Sequence, residues 1–192
     1  MTSFEAEMEM IKLDSIYSEF QKIEIALYNK SSVYPDKVLE KVDNLLIEHK
    51  TDLNITFDLR YLKAEIFYNI GEYNKSIEEL ELLDNSRDVV IAIICNYVQL
   101  NKLKEAKLLI DNNLKPFLAF DEFIFANYLE VINKKDEALA KYRKIYSDIS
   151  NKRFFFYTLT NERISELEKK SPNLLKKIYF PTGNPSFKEN IN

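Results

Sequence analysis

Two glycines and five prolines in 192 residues leave this chain little material for tight turns. A many-stranded β protein draws on glycine, proline and their turn partners about every 8–12 residues. That supply is missing here, so helices are the default. Hydrophobic residues make up 46% of the chain and charged residues 30%, a composition that can bury a sizeable core and keep a wet surface.

Apolar residues recur at helical spacing almost throughout. Val38, Val42, Leu45 and Leu46 form one stripe, and Ile77, Leu80 and Leu83 form another. The periodicity predicts helices near 3–29, 36–49, 55–70, 73–84, 87–100, 103–113, 119–132, 135–148, 152–169 and 172–179. Connections are short, so neighbouring helices should pair as antiparallel hairpins. No low-complexity stretch or long linker divides the chain.

The hairpins recur. "AEIFYNIGEYNKSIEELELL" from Ala64, "IICNYVQLNKLKEAKLLIDN" from Ile93 and "ANYLEVINKKDEALAKYRKI" from Ala126 align with breaks at Gly71, Asn101 and Asn133. Glycine and then asparagine best accept the left-handed conformation that ends a helix. Seven residues before each break stand Ala64, Ile94 and Ala126; five after it stand Ser76, Ala106 and Ala138. Small side chains at these places let paired helices approach closely. The breaks are 30 and then 32 residues apart.

Over about residues 56–148 this pattern resembles the tetratricopeptide repeat family, whose unit is a helix hairpin of about 34 residues. It departs from that family in its short repeats, in placing Arg60, Val90 or Glu122 where an early tryptophan is usual, and in lacking the closing proline. The resemblance implies an all-α fold of antiparallel helix hairpins stacked as a short right-handed solenoid. The expected layout is one domain over 1–180: an N-terminal capping hairpin at 1–50, three repeats at 55–148 and capping helices at 152–180. An irregular tail occupies 181–192.

"VVIAIICNYV", residues 89–98, is apolar on two sides of one helix. Val90, Ile93, Ile94 and Tyr97 match the repeat's core positions; Ile91, Cys95 and Val98 form a second stripe. The resemblance places that second face on a concave groove that binds peptides or domains. Equivalent positions are Tyr61, Glu65 and Tyr68 in the preceding repeat and Phe123, Asn127 and Glu130 in the following one. Something should cover the stripe, because leaving it in water forgoes about 1.5–3 kcal/mol for each larger side chain. Two coverings are open: the chain itself, with its C-terminal tail laid across, or a partner. The nine positions include no lysine or arginine, so a neutral or basic partner is expected rather than an acidic one.

Chemistry is sparsely signalled. Cys95 is the only cysteine and His49 the only histidine, which excludes an intrachain disulfide and multi-cysteine metal sites. No nucleophile–base pair can be drawn around either residue. No catalytic, metal or cofactor-binding residue is therefore assigned. Five arginines beside 22 lysines and a net charge of −4 argue against nucleic acid. The N-terminus lacks a secretory pattern and the apolar run is too short to cross a membrane, so a cytoplasmic location is expected. The reading is a non-catalytic protein-interaction module. A toxin-immunity protein, or the cytoplasmic chaperone of a secreted protein, is the alternative.

Overall fold

The computed structural model describes Ser18 and residues 35–181, apart from 149, 151 and 153. Apart from Ser18, which is helical, the expected helix at 3–29 lies outside the described residues, as does the expected tail at 181–192 apart from Pro181. The rest form eight helices: α1 (Pro35–Glu48), α2 (Leu53–Ile70), α3 (Tyr73–Leu80), α4 (Arg87–Gln99), α5 (Leu103–Asn113), α6 (Ala119–Val131), α7 (Lys135–Ser147) and α8 (Phe155–Leu167). Among the described residues there is no strand. The fold is all-α, and consecutive helices pack on one another from α1 to α5 and from α6 to α8.

Three turns share one geometry. Gly71, Asn101 and Asn133 all take positive φ, at 88°, 57° and 63°. In each, the amide of the residue after the turn donates five residues back: Glu72 to Phe67, Lys102 to Tyr97 and Lys134 to Leu129, all at 2.8 Å. The turn residue itself donates to Tyr68, Val98 or Glu130. This pair of bonds satisfies carbonyls that a helix end leaves open. The next helix then starts at once, with Ser76, Ala106 and Ala138 donating to Glu72, Lys102 and Lys134. The α2–α3, α4–α5 and α6–α7 hairpins are thus built alike.

The small residues lie where those hairpins close. Ala64, Ser76, Ala106, Ala126 and Ala138 are all fully buried. Ser76 Oγ donates to the Ala64 carbonyl at 2.8 Å and accepts from Asn96 Nδ2 at 3.0 Å, linking α2, α3 and α4. One apolar core runs from Tyr61 on α2 through α8 to Phe180; a smaller one of Val42, Ile55, Leu59, Leu62 and Ile66 joins α1 to α2.

The expected last helix at 172–179 does not form. Only eight residues separate Pro172 from Pro181, a span too short to hold a helix by itself, and Pro181 biases Phe180 toward extended backbone. Residues 173–181 run as an irregular, non-helical strap instead. Its backbone groups find partners outside the segment, on α2, α4, α6 and α8.

Candidate functional site

The first helices of the three hairpins, α2, α4 and α6, present the second apolar stripe and its equivalents, and the strap lies on that face. All nine positions expected to line a groove are buried: Tyr61, Glu65, Tyr68, Ile91, Cys95, Val98, Phe123, Asn127 and Glu130. The chain itself supplies the cover. Ile91 and Val98 belong to the main core; the others meet the strap or the space beside it.

Seven hydrogen bonds from described residues hold the strap by its backbone, each through a side chain. Near α8 and α6, Arg163 donates to the Asn173 carbonyl at 2.8 Å, while the Asn173 and Leu175 amides donate to Glu166 at 2.9 Å and Glu130 at 2.7 Å. On α4, Gln99 Nε2 donates to the Lys176 carbonyl at 2.9 Å and Cys95 Sγ to the Tyr179 carbonyl at 3.4 Å. On α2, Tyr68 Oη donates to the Ile178 carbonyl at 3.0 Å and Tyr61 Oη to the Pro181 carbonyl at 2.7 Å. The strap therefore crosses the array from its C-terminal end back toward α2.

Side chains add to this hold. Ile178 and Phe180 alternate into the core, as extended chain directs them. The Phe180 ring lies 4.7 Å from Tyr68 and 5.9 Å from Tyr61 between centroids. Lys177 sets its ammonium 4.7 Å over the Tyr68 ring and 5.7 Å over the Tyr73 ring, a geometry that attracts cations to aromatic faces.

Burial governs the titratable groups here. It pushes the Tyr61 phenol well above its ordinary range, with the Asp88 charge adding to the rise, and it raises Tyr68 likewise. It also pushes the Cys95 thiol up, which keeps the sulfur protonated and poorly nucleophilic. The Lys177 ammonium is lowered by partial desolvation.

Glu130 is the polar centre of this region. Fully buried on α6, it accepts from Arg163 of α8, from Tyr142 Oη of α7 at 3.1 Å and from the Leu175 amide of the strap. Arg163 thus supplies a cation to a face whose nine predicted positions have none. A space of about 320 Å³ remains between strap and helices; Glu65, Phe123, Asn127 and Arg163 line it from the helices, Leu175 and Ile178 from the strap.

No protein-family model matches this chain, and no curated protein does. Among the described residues no helix is long and apolar enough to cross a membrane. Nor does any group of three or more His, Cys, Asp and Glu among them stand as a metal site would require.

Sequence reasoning missed Gln99, Arg163 and Glu166, and it missed the strap as an element. The run "LLKKIYFP", residues 174–181, carried a signal: an apolar, aromatic-rich segment that ends on a proline. Its short span between prolines is what distinguishes it from a helix.

Proposed function

We propose that this chain is a non-catalytic protein-interaction module that holds an extended, neutral or basic polypeptide segment across α2, α4 and α6. The observation that supports this most directly is the set of seven side-chain bonds to the backbone of residues 173–181. Main-chain bonds supply affinity for an extended segment without demanding one sequence, and pockets for alternate side chains add specificity. The segment seated there carries Lys176 and Lys177 and no acid, in keeping with a neutral or basic ligand. The hairpin spacing that resembles tetratricopeptide repeats points the same way.

Panning a peptide library against the immobilised full chain tests this reading. Enriched peptides should carry lysine or arginine beside aromatic residues. A free peptide of residues 172–181, whose extended backbone matches the seated segment, should displace them from the chain. Enriched peptides that stay bound at saturating 172–181 peptide would place their binding elsewhere on the molecule.

A further inference from the structure

We infer that residues 173–181 are a displaceable occupant of their own groove, and that the partner is an extended segment which takes their place, with a lysine over the Tyr68 and Tyr73 rings and a bulkier side chain in the space beside Ile178. This rests on the function proposed above and adds the partner's chemistry and its competitor.

Three observations carry it. First, the hydrogen bonds that hold the strap go to its main-chain atoms, so another extended chain can satisfy the same donors and acceptors. Second, the fit is incomplete. The strap leaves a cleft of about 320 Å³ beside Phe123, Asn127 and Leu159, and a larger side chain seated there would bury more apolar surface. Third, the tether is open to water. Residues 168–171, between α8 and the strap, are all exposed, as are Asn173, Lys176 and Lys177. The buried strap residues, Ile178, Phe180 and Pro181, lie at the far end from that tether.

Tethering gives the strap an advantage that a partner must overcome. A segment on a short link acts at an effective concentration of about 1 mM. A free peptide with the same contacts and a micromolar intrinsic affinity is then weakened about a thousandfold in apparent affinity. Weakening the strap, or filling the neighbouring space better, removes that handicap.

Cys95 is the natural reporter, since it is the only cysteine and lies fully buried beneath the Tyr179 carbonyl. The experiment uses full chains, unaltered and carrying Phe180→Ala, with Lys177→Ala as a second weakened strap that leaves the groove donors and the core side chains intact. A fluorescent peptide of residues 172–181 is titrated by anisotropy, and Cys95 alkylation is timed in parallel. The peptide should bind the weakened chains about tenfold or more tighter than the unaltered chain, and saturating peptide should slow their Cys95 alkylation. The same peptide with Ile178→Trp should bind more tightly still. With Lys176→Glu/Lys177→Glu it should bind about tenfold more weakly.

Equal binding to all chains, with Cys95 shielded alike, would overturn displacement while leaving an interaction module in place. Faster alkylation in the weakened chains without any peptide binding would overturn both. A concentration-dependent dimer that excludes the peptide would show a second copy of this chain as the occupant, and would overturn the partner assigned here.

Discussion

Deleting one hydroxyl, in Tyr68→Phe, should loosen the strap without disturbing the array beneath it. Tyr68 Oη is 3.0 Å from the Ile178 carbonyl in a buried bond. The ring itself stays against Phe180 at 4.7 Å and Tyr73 at 5.6 Å, so the change opens no sizeable cavity. A buried acceptor stripped of its donor costs about 1–3 kcal/mol. At tenfold per 1.4 kcal/mol, the strap's opening constant should rise about 5- to 150-fold. Cys95 reads that constant, because burial keeps its thiol protonated and out of reach while the strap is down. The assay is native-state alkylation of Cys95 across a series of low urea concentrations. A local opening exposes little surface, so the variant's labelling rate should rise in water yet depend only weakly on urea. A rate within about twofold of the unaltered protein, or a urea slope equal to that of global unfolding, would refute the reasoning.

Arg163→Met strands the Glu130 carboxylate, which is fully buried, and should cost about 3–5 kcal/mol by chemical denaturation. Adding Glu130→Gln should recover much of that loss, and an additive double-variant cycle would show that the two do not act as a pair. Ile91→Lys and Val98→Lys place a charge at positions 0% and 6% exposed, so both should melt early or aggregate in thermal scans. High pH should unfold the protein in a defined window. Burial raises the folded-state pKa of Tyr61, Tyr68 and Tyr142, so the folded state retains protons that the unfolded chain releases. Stability is therefore full below about pH 10 and falls as pH climbs beyond it. Urea midpoints measured on either side of that value, alongside tyrosinate absorbance, check the sign.

The array was legible in the sequence because its determinants are local. Gly71, Asn101 and Asn133 announce their conformation by residue type, and Ala64, Ser76, Ala106, Ala126 and Ala138 announce close approach by size. The same register picked out the nine positions expected to line a groove, and the chain buries every one of them. The strap was not legible in the same way. Leu174, Leu175, Ile178 and Tyr179 are spaced as one face of a helix, and local pattern favours that reading. Bonds from Tyr61, Tyr68, Cys95 and Gln99 decide otherwise, and these come from residues 77 to 120 positions away. Arg163 was hidden for the same reason: its carboxylate partner, Glu130, lies 33 positions back on another helix.

That separation also orders events in time. Each hairpin closes on contacts about a dozen residues apart, as Ser76 does with Ala64, and such loops close quickly. Tyr61 and Tyr68 wait for carbonyls 120 and 110 residues downstream. During synthesis, at about 5–20 residues per second, α2 and α4 emerge seconds before the segment that shields them. For that interval the nascent chain shows its apolar stripe to whatever surrounds the ribosome. Docking of the strap is therefore the late step of folding, and the one most exposed to aggregation.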